Sequence, residues 1–233
     1  MVKPRKTFDR RKVKYDKENW RRFREFREKT GDVLRTLKKY GIDGHAHGSV
    51  ARGDVNEDSD IDIIIPHHFS TFRVEVALTE SGLNLLERKI VMATPWQLPK
   101  AHIYLEDEVM VTVPLERPQE SEEDFYHFGG AVTLEQVEDE SRVPGVDKRL
   151  VLIEPTDIGH TESQVIGREG EVAKKIGVSL EIVEERIEVL TRRDKVGKTG
   201  IFLERELTSD ESFESVWSEI KKNNPEVSKR KRR

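Results

Sequence analysis

The sequence predicts an α+β protein, in which a small mixed β-sheet domain flanked by helices is followed by a second, C-terminal domain. Three segments carry this prediction. Residues 17–40 repeat apolar side chains at helical spacing, whereas residues 61–65 are mostly β-branched and typical of a strand that ends before Pro66. Residues 172–190 return to helical spacing around a glycine at a turn position.

The first predicted helix covers residues 17–40. Its apolar residues tend to one face, and Gly41 stands where a helix commonly stops. Gly31 lies inside this pattern and leaves open whether it forms one helix or two. The basic segment before it, residues 1–16, is expected to be a flexible arm.

A strand, a tight turn and one helical turn are predicted in succession over residues 42–53. The chain turns at Gly48 and Ser49, and Gly53 closes the short helix. A small residue at such a turn lets backbone amides approach a polyphosphate, and a helix N-terminus adds partial positive charge. The turn alone is weak evidence for phosphate binding.

Two carboxylates, Asp60 and Asp62, come at the start of the β-branched strand. Residues i and i+2 of a strand share a face and are roughly 7 Å apart at the backbone. Two anions at that distance repel by about 2 kcal/mol at an effective dielectric constant near 20. A divalent cation between them relieves this repulsion, and oxygen-only ligands suit Mg²⁺.

In order and spacing, these elements resemble the signature of the DNA polymerase β-like nucleotidyltransferase superfamily, and most of all its minimal nucleotidyltransferase branch. The segments that carry the resemblance are Gly48-Ser49-x-Ala51-Arg52-Gly53 and, after a four-residue spacer, Asp58-Ser59-Asp60-Ile61-Asp62. The resemblance covers roughly residues 30–115. It implies transfer of NMP from an NTP to a hydroxyl of RNA, protein or a small molecule, with Mg²⁺ or Mn²⁺ as cofactor.

The resemblance also implies roles for individual residues. Gly48 and Ser49 are expected to bind the triphosphate, and Asp60 and Asp62 the metal. Arg52 and Ser59 are further nucleotide-binding candidates. For Arg52 the alternative is a structural ion pair with Asp54 or Asp58.

The superfamily usually has a third carboxylate on a following strand, which binds one metal and helps to deprotonate the attacking hydroxyl. The candidate hairpin here covers residues 101–114, and neither Val111 nor Thr112, near the family position, is acidic. A two-residue turn at 107–108 would place Glu106 on one face with Tyr104 and Val111. A solvated charge beside the turn is the other interpretation, so the third catalytic acid stays unassigned.

Residues 70–92 are predicted to be mainly helical, although 70–78 also alternate in the manner of a strand. Further along, residues 172–190 resemble the helix-turn-helix of a winged-helix domain, with Gly177 at the turn, Ser179 capping the second helix and residues 201–207 as the wing. The second helix exposes glutamates, which repel a phosphate backbone. Packing or protein contact is therefore favoured over specific DNA recognition for this region.

Charge is segregated along the chain. Residues 1–25 hold eleven Lys/Arg against four acids, and residues 221–233 hold seven against one, although the net charge of the whole chain is −4. Basic termini suggest contact with RNA or DNA phosphates, and the basic residues of the predicted wing, Arg192, Arg193, Lys195 and Lys198, add to it. Solubilising ends are the other interpretation.

Composition and segment boundaries complete the expectations. The sequence has no cysteine, which excludes disulfides and thiolate metal sites, and no membrane-length apolar run or signal segment, so a cytoplasmic location is expected. The predicted organisation is a basic arm (1–16), a nucleotidyltransferase domain (17–118), a linker or packing segment (119–146), a winged-helix-like domain (147–215) and a basic tail (216–233). The alternative functions are a degenerate nucleotide-binding protein and a winged-helix nucleic-acid-binding regulator.

Overall fold

The computed structural model describes residues 3–5, 10–196 and 201–229. They divide into two compact units built from interleaved stretches of chain. Unit 1 takes its residues from 1–31, 46–59 and 120–199, and unit 2 from 32–45, 60–119 and 200–233. The predicted domain ranges follow the chain continuously and remain predictions.

The described residues contain eleven strands and eight α-helices. The strands are β1 (Arg11–Lys14), β2 (His45–His47), β3 (Ile61–Ile64), β4 (Leu85–Met92), β5 (Lys100–Leu105), β6 (Val109–Pro114), β7 (Ala131–Val132), β8 (Gly145–Val146), β9 (Val151–Thr156), β10 (Gly159–Gln164) and β11 (Leu203–Glu206). The helices are α1 (Lys17–Lys39), α2 (Ser49–Arg52), α3 (Thr71–Glu80), α4 (Glu120–Gly129), α5 (Leu134–Glu138), α6 (Glu169–Ile176), α7 (Leu180–Val196) and α8 (Phe213–Asn223), followed by a 3₁₀ turn at Pro225–Lys229.

Unit 1 contains an antiparallel sheet in the order β1-β10-β9-β8 and a short antiparallel pair of β2 with β7. Its core lies among the sheet, α4, α6 and α7, because each of these elements turns apolar side chains inward. The core cluster consists of Phe128, Val146, Leu150, Leu152, Val165, Val172, Ala173, Ile182 and Val183. Phe128 lies within residues 119–146, the predicted linker or packing segment, and packs in this core.

Unit 2 contains a sheet in the order β11-β4-β5-β6-β3, antiparallel throughout except for the parallel pair of β6 with β3. Its strands alternate, so one face is apolar: Ile63, Val111 and Ile103 lie in register and are fully buried. α3 and α8 also belong to this unit, and Thr71 of α3 donates to Glu214 of α8. The predicted α+β class with a mixed sheet is confirmed.

Some predictions of individual helices and strands are confirmed, and others are wrong. α1 runs without a break through Gly31, and it stops before Gly41, whose φ of 71° is left-handed. Residues 70–92 are helical only to Glu80, with Ser70 as N-cap accepting from the Arg73 amide, and then form a strand. Residues 11–14 are not a flexible arm, because they pair with β10.

The predicted helix-turn-helix is present as α6 and α7, with Gly177 in the left-handed conformation between them. The predicted wing is wrong. A wing is the hairpin that follows the second helix, but Leu203–Glu206 pairs with Met92–Lys89 of β4 in unit 2. Lys198 of the predicted wing and residues 230–233 of the predicted tail lie outside the described residues. Within the described residues no helix combines the length and apolarity that crossing a membrane requires.

Candidate functional site

The Gly-Ser turn of unit 1 has the predicted strand–turn–helix form. Gly48 joins β2 to α2 with φ 75° and ψ −135°, a conformation that strains any residue with a Cβ. Its N–H donates to the carbonyl of Gly130 at 2.9 Å. Gly53 closes α2 in the left-handed conformation, and its N–H donates to the Ser49 carbonyl at 2.7 Å. Ser49 is half-buried at the N-terminus of this one-turn helix.

The side chain of Arg27 binds two backbone carbonyls of α2. Sequence reasoning did not identify this residue. The residue is 3% exposed, and its guanidinium donates to the Val50 carbonyl at 3.0 Å and to the Ala51 carbonyl at 3.4 Å. It also donates to Gln136 at 3.2 Å and Ser141 at 2.6 Å. Burial, with Arg142 nearby, lowers the pKa of Arg27 to about 10, which leaves it charged at pH 7.

The guanidinium of Arg52 forms hydrogen bonds within unit 1. Its Nε and Nη2 donate to the two carboxylate oxygens of Asp54 at 3.0 and 3.1 Å, and its Nη1 donates to the Gly129 carbonyl at 2.6 Å. The guanidinium is therefore engaged on every nitrogen and buried. This supports the structural alternative for Arg52 and not the predicted nucleotide contact.

The side chain of Tyr15 contacts the C-terminal end of α2. Its hydroxyl lies 2.8 Å from the Gly53 carbonyl and 2.7 Å from Nδ1 of His160. A carbonyl cannot donate, so the single hydroxyl proton goes to Gly53 and His160 must donate from Nδ1. Burial and the nearby charge of Asp54 raise the pKa of Tyr15, which keeps the phenol protonated.

Ser59, the other predicted nucleotide contact, closes a tight turn before β3. Its hydroxyl accepts from the Asn56 N–H at 2.9 Å, and the Asn56 side chain accepts from the Asp58 N–H at 2.8 Å. Ser59 is 6% exposed. These bonds give Ser59 a local structural role, because they fix where the chain enters β3.

The two aspartates lie at the start of β3 in unit 2. Asp60 is exposed just before the strand, and Asp62 is half-buried between the fully buried Ile61 and Ile63. The alternation points Asp62 to the face opposite the apolar core of this unit. In proteins Mg²⁺ is usually held by one or two carboxylates together with substrate phosphates and water, and this donor pair fits one such ion.

A third carboxylate is missing from the strands next to β3. β6 has no acidic residue, and Met110 lies in register with Asp62. Behind Met110, β5 brings His102 and Tyr104 to the same face. Desolvation, together with the charges of Lys100 and Lys89, lowers the pKa of His102 to about 4. Within the described residues, no group of three or more His, Asp or Glu side chains is placed to hold a metal.

Glu106 does not take the predicted position. Asp107 and Glu108 both have positive φ and make the predicted two-residue turn. The register beyond it, however, pairs Tyr104 with Met110, so Tyr104 does not share a face with Val111 as predicted. β5 ends at Leu105, and the exposed Glu106 accepts from the Asn84 side-chain amide at 3.0 Å.

Comparison with known proteins gives one match. Residues 27–128 match the family model of the nucleotidyltransferase domain, which spans both the Gly-Ser turn and the aspartate pair. No curated protein and no solved structure matches the chain. For residues 27–128 the match supports the resemblance to the nucleotidyltransferase superfamily seen in the sequence, whereas the minimal nucleotidyltransferase branch stays a prediction.

Proposed function

We propose that this nucleotidyltransferase domain is an active, Mg²⁺-dependent enzyme that transfers NMP from an NTP to a hydroxyl acceptor. Gly48 and Ser49 bind the phosphates, and Asp60 and Asp62 hold the cation. The observation that carries the proposal is that Asp62 is a half-buried carboxylate on a strand of buried isoleucines, held two residues after a second carboxylate. A divalent cation held between two such carboxylates would offset their mutual repulsion.

The chemistry follows from what these groups do. Backbone amides at the turn after Gly48 and the Ser49 hydroxyl hold the triphosphate and fix the α-phosphorus for in-line attack. The acceptor oxygen forms a bond to that phosphorus, the bond to the bridging oxygen breaks, and pyrophosphate leaves. Asp60 and Asp62 would hold the divalent cation, which would supply positive charge against the charge that develops on the phosphate oxygens.

The test is transfer of α-labelled phosphate from each NTP in Mg²⁺ or Mn²⁺, with mixed RNA and protein acceptors. Asp62→Asn is expected to lower transfer by more than about 100-fold, since electrostatic stabilisation is usually the largest catalytic contribution. Asp43→Asn is the matched control, because Asp43 is exposed in the same unit and its one ion pair among the described residues is with Lys38 at 2.7 Å. Equal transfer by the Asp62 variant and the wild type would refute the proposal.

We further propose a nucleic acid as the partner that carries the acceptor. β1 is an edge strand, and Arg10, Arg11, Lys12 and Lys14 on and beside it are exposed without an ion pair to another described residue. Such cations bind phosphates and release counter-ions. Replacing all four by Gln should reduce the slope of log affinity against log salt by about 3 for single-stranded RNA. An unchanged slope would exclude this strand as the contact.

A further inference from the structure

The sheet of unit 2 fixes which side chains accompany Asp62 on its face. Asp62 is in register with Met110, Met110 with Tyr104, and Tyr104 with Glu87. Residues opposite each other in a sheet point to the same face, and neighbouring strands are about 4.8 Å apart. We call these four residues the Asp62 row. Its other carboxylate, Glu87, lies three strands away from Asp62, about 14 Å at the backbone.

The adjacent row on the same face offers no acid in between. Ile64 is in register with Thr112, Thr112 with His102, and His102 with Lys89. Lys89 pairs with two more distant carboxylates, Glu87 at 2.7 Å and Glu204 of β11 at 3.5 Å. In these two rows, the residues of β6 and β5 next to Asp62 therefore include no carboxylate.

Met110 is itself unsuited to a hard cation. Its thioether sulfur lies 2.8 Å from Nδ1 of His102 and has no proton, so the imidazole donates to it. A thioether is a soft ligand, whereas Mg²⁺ and Mn²⁺ take oxygen. His102 supplies no negative charge in place of a carboxylate, and the cations Lys89 and Lys100 lie near it.

We infer that this domain takes up one divalent cation with its nucleotide, and not the two that bridging carboxylates hold in two-metal sites. The inference rests on the proposed function and deepens it. Asp60 and Asp62 supply the protein oxygens for a single ion, and Met110, the residue of β6 in register with Asp62, offers no oxygen for a second one. No carboxylate of this sheet takes the proton of the acceptor hydroxyl, so that proton leaves to solvent or to the acceptor's own groups.

The test counts Mn²⁺ retained by the protein in equilibrium dialysis, read by electron paramagnetic resonance, with a saturating α,β-methylene NTP analogue. The wild type should retain one Mn²⁺ per chain. Met110→Asp, which adds a carboxylate in register with Asp62, should retain two. Met110→Asn, which has the shape of the aspartate variant without its charge, should retain one.

Two results would overturn the inference: two Mn²⁺ in the wild type, or a single Mn²⁺ in Met110→Asp when its circular dichroism is native. The wild-type count decides the point even where Met110→Asp fails to fold. No nucleotide-dependent Mn²⁺ in the wild type is a different result, because it would refute the proposed function itself. Calorimetry of analogue binding to the wild type and Asp62→Asn separates that case.

Discussion

Replacing Arg27 by Met tests whether a buried guanidinium sets the orientation of the Gly-Ser turn. Met retains an unbranched, largely apolar side chain but is shorter than Arg and has no hydrogen-bond donor. Two of its four acceptors keep another donor: the Ala51 carbonyl also accepts from Val143 at 3.2 Å, and the Gln136 carbonyl from Ser141 at 2.9 Å. The Val50 and Ser141 carbonyls lose the only donor that the described residues give them.

The magnitude follows from two opposing contributions. Without donors, the buried Val50 carbonyl and the half-buried Ser141 carbonyl cost about 2–6 kcal/mol together. Against this, burial lowers the pKa of Arg27 from its ordinary value to about 10, so the buried cation itself costs about 3 kcal/mol, a cost that an uncharged Met does not carry. The expected net loss in free energy of unfolding is therefore small, about 1 kcal/mol.

The effect on the turn should be larger than the effect on stability. The Val50 and Ala51 carbonyls are the points at which Arg27 holds α2, so without them the helix no longer presents its amides in one orientation. We expect the Kd for an NTP analogue to rise about 10-fold, or about 1.4 kcal/mol. Urea unfolding and calorimetry measure the two quantities.

Arg24→Met is the control for Arg27→Met, because Arg24 is exposed on the same helix and has no hydrogen bond to another described residue. Its unfolding free energy should stay within about 0.5 kcal/mol of wild type, with unchanged affinity. An Arg27→Met protein that binds nucleotide as tightly as the wild type would show that α2 does not depend on this brace. A stability loss above about 4 kcal/mol would show that the cost of burying the cation has been overestimated.

Three further predictions concern single residues. Gly145→Ala should be destabilising, because its Cβ would lie 2.7 Å from the Gly129 backbone, whereas Gly170→Ala in the first turn of α6, where a Cβ meets no atom within 4 Å, should stabilise by up to about 1 kcal/mol; thermal unfolding distinguishes their signs. Stability should fall by about 3 kcal/mol as pH drops from 6.5 to 4, because the unfolded chain protonates His102 in that range and the folded chain does not; His102→Asn should remove this part of the pH dependence, and parallel curves would contradict it. Gly48→Ala and Gly41→Ala both force a Cβ into positive φ and should lose similar stability, but only Gly48→Ala should weaken nucleotide binding, as calorimetry can show.

Sequence reasoning succeeded where the determinants are local. The turn at Gly48, the short helix closed by Gly53 and the strand that carries Asp62 depend on conformations and side-chain patterns within a few residues. Arg27 could not be found this way, because its acceptors lie 23 to 114 residues away in the chain. Nor could the continuity of α1 be foreseen, since Gly31 is buried and tertiary packing outweighs the roughly 1 kcal/mol cost of a helical glycine.

The failed wing has a related cause. Residues 203–206 were correctly expected to be extended, but the pattern of a strand does not say which strand it pairs with. In unit 2 the segment Leu203–Glu206 pairs with β4, with Leu203 opposite Met92. Among the described residues no hairpin follows α7, and this weakens the regulator hypothesis more than the exposed glutamates of α7 do.

The hairpin of β5 and β6 shows how a single residue of register decides chemistry. The two-residue turn at Asp107 and Glu108 was foreseen, but one extra residue before it puts Tyr104 opposite Met110 and not Val111. Since side chains alternate between faces, this slip exchanges the entire set of β5 residues that can face Asp62. It brings His102 and Tyr104 to that face and leaves Glu106 beyond the end of the strand, so the residues of β5 and β6 that face Asp62 include no carboxylate. The proposal of a single metal ion therefore rests on the strand register, which sequence patterns of single strands do not contain.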